Sequence, residues 1–88
     1  MEYQVNQLSP ELRSFFYKQL HDERVDHFEK LTDAAVKEGF EPGEIQSAWD
    51  YLTLDLIIEP LTNGRFDYGG EYADYKIHDS NLDRLKVN

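Results

Sequence analysis

Glycine and proline punctuate this chain unevenly. Neither occurs between Pro10 and Gly39, whereas Pro42, Gly43, Pro60, Gly64, Gly69 and Gly70 crowd the part that follows. Both residues weaken helix interiors and suit helix ends. Long helices are therefore confined to the first half and to the stretch between Pro42 and Pro60. The pattern predicts a mainly α (α+β) fold, a helical hairpin or three-helix domain with a small C-terminal β-hairpin. Residues 1–88 form a single small acidic domain.

Ser9-Pro10-Glu11-Leu12 has the order of a helix start: Ser as N-cap, Pro at the first helical position, Glu in the first turn. Leu12, Phe16, Leu20, Phe28, Leu31 and Ala35 then follow a helical stripe, with Phe15 beside it. Arg24 interrupts the stripe. The expectation is one helix over about 10–38, or a kinked pair breaking near His21-Asp22. Gly39 is the expected stop, with Phe40 packing back. Glu41-Pro42-Gly43-Glu44 restarts a helix over about 42–59, with Ile45, Ala48, Trp49, Leu52 and Leu56 on its buried face. Leu54, Ile57 and Ile58 add apolar surface on its other faces, and Pro60 ends it.

After Asn63-Gly64 the period changes. Phe66 and Tyr68 alternate with Arg65 and Asp67, Gly69-Gly70 suits a two-residue turn, and Glu71 to Ile77 forms the return strand. This hairpin, over about 65–77, must lie on the helices, because an isolated one is marginal in water. A short helix over about 80–86 closes the chain.

The chain has 88 residues and no cysteine. Neither disulfides nor a thiolate metal site can support so small a core. MEYQVNQLSPELR lacks the basic and apolar regions of a secretory signal. LTLDLIIEPL is about half the length of a membrane span and carries Asp55 and Glu59. The expectation is a soluble cytoplasmic protein without membrane association.

Candidate chemistry is sparse. The four serines (9, 14, 47 and 80) and three histidines (21, 27 and 78) make no interpretable triad, and no nucleophile motif occurs. Paired carboxylates do acid–base work only when one is desolvated, and no pocket is predicted to do this. No calcium loop is present. Glu23 and His27 lie four apart, a spacing that can bind a divalent metal on one helix. HDERVDHFEKL departs from the ferritin-like pattern, which places a Glu three before the His, where Arg24 stands here. The segment reads as a solvated helix face. No enzyme, cofactor or metal is expected.

SFFYKQLHD and AVKEGFEPGEI resemble the nitrogen-fixation-related type of leader peptide over residues 9–49, with a shorter spacing between the two pieces. The resemblance implies a precursor processed after Gly69-Gly70. The segment beyond has no Cys, no Thr and one Ser to modify, so the glycines are read first as turn chemistry.

The charge pattern says more. Residues 1–37 carry seven acids and five bases (−2), residues 38–75 nine and one (−8), and residues 76–88 two and three (+1). No Lys or Arg occurs between Lys37 and Arg65. Such a field repels nucleic acid and attracts basic surfaces. The expected partner-binding face comprises Glu44, Asp50, Tyr51, Asp55, Glu59, Asp67, Tyr68, Glu71, Tyr72, Asp74 and Tyr75. Carboxylates on a rigid domain imitate nucleic-acid phosphates, and Tyr is enriched at interfaces. The reading is a non-enzymatic protein-binding module whose partner is a protein with a basic surface, with no direct nucleic-acid binding. In size and charge it is similar to the small acidic inhibitors of phages and other mobile elements. The alternative is a structural protein, possible as a homodimer, that self-associates through Leu54, Ile57, Ile58 and Tyr faces.

Overall fold

The computed structural model describes residues 2–61 and 75–87. A 3-10 helix (Gln4–Gln7) leads into α1 (Pro10–Tyr17), which runs on as a π turn (Lys18–Asp22). Next come α2 (Phe28–Glu38), α3 (Pro42–Leu54), strand β1 (Ile58–Pro60), strand β2 (Tyr75–Ile77) and a second 3-10 helix (Asp79–Leu85). The expected mainly helical fold with a small antiparallel sheet is the observed one.

The start of α1 follows the sequence rule: Ser9 Oγ accepts from the Leu12 amide at 3.2 Å. The end of α2 does as well. Gly39 takes φ +98, and the Phe40 amide donates to the Ala35 carbonyl at 3.2 Å, the six-to-one closure of a Schellman motif. Phe40 then packs on Phe15, ring centroids 5.3 Å apart.

Two other helix ends are made without glycine. Of the two expected forms of residues 10–38, the structure takes the pair that breaks near His21-Asp22 and not the single helix, because the chain breaks after the π turn that ends at Asp22. The Glu23 amide reaches the Lys18 carbonyl and the Val25 amide the Gln19 carbonyl. Arg24 occupies the left-handed position at φ 54. Residues 42–59 likewise do not form one helix. α3 stops at Leu54, Leu56 sits left-handed at φ 56, and the Ile57 amide closes onto the Leu52 carbonyl at 2.9 Å. These two residues stand where glycine usually does, at a cost of about 1–2 kcal/mol each.

At Arg24 the side chain has partners. Its guanidinium donates to the Leu20 carbonyl at 3.3 Å and to Asp79 Oδ1 at 2.5 Å, tying the break to the C-terminal 3-10 helix. Leu56 shows no such side-chain use. It was expected on the buried face and is 57 % exposed, with Leu54 at 67 %, while Ile57 and Ile58 are fully buried.

The sheet gives the predicted return strand a partner that the sequence reading did not name. Tyr75–Ile77 is a strand as expected, but it pairs with Ile58–Pro60 in the register Ile58↔Ile77, Glu59↔Lys76, Pro60↔Tyr75. The expected left arm, Arg65 to Tyr68, and the Gly69-Gly70 turn lie outside the described residues. The C-terminal segment is helical where predicted, as a 3-10 helix that buries Leu82 and Leu85.

Trp49 is the centre of the core, 0 % exposed. Its ring meets Phe28 at 4.8 Å, Phe16 at 5.3 Å and Tyr75 at 5.4 Å between centroids. Its indole N–H donates to Thr32 Oγ1 at 3.0 Å, which removes the polar penalty of burial. The expected stripe of α1 and α2 is buried against it, as are Ile45, Ala48 and Leu52.

Trp49→Ala is expected to cost about 3–5 kcal/mol in chemical denaturation. A loss below about 1 kcal/mol would move the core centre elsewhere. The Arg24 guanidinium holds the Asp79 carboxyl below its ordinary value. A depressed folded-state pKa adds stability above the ordinary aspartate range, and that stability is lost as pH falls through the folded value. The melting-temperature difference between wild type and Asp79→Asn should therefore be present at neutral pH and vanish in acid. A difference that persists unchanged in acid would contradict this role.

Candidate functional site

α3 presents the acidic surface. Pro42 sits in its first turn, and the buried positions Ile45, Ala48, Trp49 and Leu52 face the core. Periodicity alone then sends Glu44 and Asp50 outward, and both are exposed. Glu41, just before the helix, is exposed too. Asp50 Oδ1 accepts from Gln46 Nε2 at 3.4 Å, one turn back.

Tyr51 is half-buried, and its hydroxyl donates to Gln7 Oε1 at 3.4 Å. This contact spans an open groove of about 310 Å³ between α3 and the N-terminal segment. Its walls come from Gln7, Leu8 and Ser9 on one side and Gly43, Glu44, Ser47 and Tyr51 on the other, with no Lys or Arg.

Asp55 is a correction to the predicted face. It is 8 % exposed, and its carboxylate accepts from the Gln4 amide at 3.1 Å and the Val5 amide at 2.8 Å. Arg84 Nη1 donates to its carbonyl. The residue caps the N-terminal 3-10 helix and receives the C-terminal one. Tyr75 is the second correction. It is 2 % exposed and packs on Trp49; its hydroxyl donates to the Val25 carbonyl at 2.8 Å and its amide to the Asp26 carbonyl at 3.2 Å. It fastens β2 to the break between α1 and α2.

Glu59 remains exposed on β1, and its Oε1 lies 3.0 Å from His78 Nε2. Asp67, Tyr68, Glu71, Tyr72 and Asp74 lie outside the described residues. Of the predicted face, the structure thus keeps Glu44, Asp50 and Tyr51 together on α3 and places Glu59 on the neighbouring strand.

The Glu23/His27 spacing loses its helical meaning. Glu23 ends the π turn, and His27 is the N-cap of α2, its Nδ1 accepting from the Lys30 amide at 3.4 Å. Left-handed Arg24 lies between them. Among the described residues no helix is long and apolar enough to cross a membrane.

The helical period places Leu54 off the buried face but reads Leu56 as buried, so it misses the surface feature that the two make together. Leu54 and Leu56 flank buried Asp55 and both point outward, and Leu61 beyond β1 is exposed as well. A single residue in the left-handed region reverses the chain and turns Leu56 out.

Asp55→Ala should cost about 1–3 kcal/mol, because it leaves the buried Val5 amide without an acceptor. Asp50→Ala should stay within about 0.5 kcal/mol. Equal effects in parallel denaturant melts would mean that Asp55 does not carry the N-terminal segment.

Comparison of the chain with protein-family models, with curated proteins and with solved structures returns no match.

Proposed function

We propose that this protein is a non-enzymatic acidic protein-binding module that occludes a basic, nucleic-acid-binding surface of a partner protein. The observation that carries the reading is the unneutralised charge on α3. Glu41, Glu44 and Asp50 are exposed, no Lys or Arg occurs between Lys37 and Arg65, and among the described residues no ion pair involves these three carboxylates. Their charges stand on a helix whose inner face is locked around Trp49, so a partner meets them at fixed positions. Such preorganisation lowers the entropic cost of association. The net charge of −9 steers a basic partner toward them.

The self-association alternative loses two of its three named apolar residues, since Ile57 and Ile58 are fully buried and only Leu54 is at the surface.

Immobilised protein should retain nucleic-acid-binding proteins from lysate at low salt. Added duplex DNA or RNA should displace them, and high salt should release them. Glu44→Lys combined with Asp50→Lys should reduce retention by more than about tenfold, since like-charge contacts at an interface cost several kcal/mol. Retention indifferent to salt and to both substitutions would overturn the reading.

A further inference from the structure

We propose that Leu56, with Leu54 beside it, is an apolar anchor for the basic partner, inserting into a segment of that partner in which apolar side chains are flanked by Lys or Arg. The proposal rests on the acidic-module reading and adds the chemistry that gives it specificity.

The starting point is a mismatch between residue and position. Leu56 fills the left-handed site of a Schellman closure, at φ 56. Glycine fits that site without strain. The hydrophobic contact that accompanies such a motif joins the residue after the left-handed one to the helix's last turn. Here those residues are Ile57 and Leu52, both fully buried. The motif is therefore complete without the Leu56 side chain, which is 57 % exposed. Position 56 carries a strained, exposed leucine where the fold asks for glycine. Strain of this kind is retained where the side chain has a use outside the fold.

The backbone beneath it is fixed. The Leu56 amide donates to the Thr53 carbonyl at 3.1 Å, and Asn81 Nδ2 donates to the Leu56 carbonyl at 2.7 Å. The side chain thus projects from an anchored turn, the arrangement that suits a binding hot spot.

Charge complementarity selects the occupant. Exposed Asp50 and Glu59 lie on either side of the turn in the chain, and no Lys or Arg falls between residues 38 and 64; Glu59 has His78 at 3.0 Å and Lys76 opposite it in the sheet, which leaves Asp50 as the carboxylate without an ion pair among the described residues. Arg84, the base that reaches this turn, is directed onto the Asp55 carbonyl and the Tyr3 ring. A second copy would bring another chain of net charge −9 against the first. A basic segment with an apolar centre meets both the leucines and the carboxylates.

The test uses the full chain and two synthetic helical peptides of equal positive charge. One is an amphipathic Leu/Lys peptide, and the other has Ser in place of every Leu. Wild type should bind the Leu/Lys peptide at least about tenfold more tightly, from the burial of one or two leucines. Leu56→Gly should melt at or above the wild-type temperature and lose most of that preference, with Leu56→Asn behaving alike. Equal binding of the two peptides by wild type would overturn the anchor while leaving the acidic reading standing. Failure of both peptides to bind at low salt would overturn both. A Leu56→Gly variant that melts lower would make Leu56 a fold residue, against the proposal. A wild-type dimer in sedimentation that Leu56→Gly dissolves would make the occupant a second copy, which also overturns it.

Discussion

The Asp55 carboxyl group joins parts of the chain that helix formation alone would leave apart. Its two oxygens take the Gln4 and Val5 amides, and the backbone carbonyl of the same residue takes Arg84. The N-terminal 3-10 helix and the C-terminal one are thereby both fastened to the end of α3. This matters in a domain of 88 residues, where the core is small relative to its surface. Val5, Leu82 and Leu85 are buried, yet they sit on short segments with little helical stability of their own. Hydrogen bonds in which one partner is charged are the stronger kind; here the Asp55 carboxylate holds the first segment and the Arg84 guanidinium the last, where their apolar residues can contribute.

The second constraint is aromatic and sits six residues earlier, at Trp49. Trp49 is met by Phe16 from α1, Phe28 from α2 and Tyr75 from β2. Four elements therefore share one ring system. Tyr75 extends this arrangement to the break at residues 23–27 through the Val25 and Asp26 carbonyls. Those carbonyls leave helical pairing because Arg24 reverses the chain. The break and the sheet are thus coupled: β2 caps the backbone that the break exposes.

The helical core was legible in the sequence. Leu12, Phe16, Leu20, Phe28, Leu31, Ala35, Ile45, Ala48, Trp49 and Leu52 all fall on the stripes that periodicity picks out, and all are buried. Ser9 and Gly39 also act as their residue types imply. The misses share one cause. The rule that glycine marks a left-handed helix end is strong when glycine is present, but says nothing where another residue takes that conformation. Arg24 and Leu56 do so. The first sits in the break that the sequence offered near His21-Asp22 as one of two options, and the second ends α3 several residues before Pro60. The early end of α3 then releases Ile58–Pro60 to become the partner strand of Tyr75–Ile77. Asp55 and Tyr75 were read as surface for a related reason. An acid among acids and a tyrosine among tyrosines look alike in sequence, and only the tertiary path separates the two that turn inward.

The surface charge can be argued from how the bases are used. Arg24 holds Asp79, Arg13 Nη2 donates to the Lys86 carbonyl at 2.7 Å, Arg84 lies on the Asp55 carbonyl and the Tyr3 ring, and Lys86 sits near Asp83 and the Tyr17 ring. These contacts fasten the C-terminal segment to the rest of the domain. They commit this positive charge to the C-terminal segment and to the last turn of α3. The inner face of α3 needs no charge to fold, because Trp49 and its neighbours supply the burial. Its outer face carries one side-chain hydrogen bond, from Gln46 to Asp50 at 3.4 Å, and no carboxylate there caps a segment as Asp55 does. Exposed Glu41, Glu44 and Asp50, which make no ion pair among the described residues, are the carboxylates on which the proposed association would act.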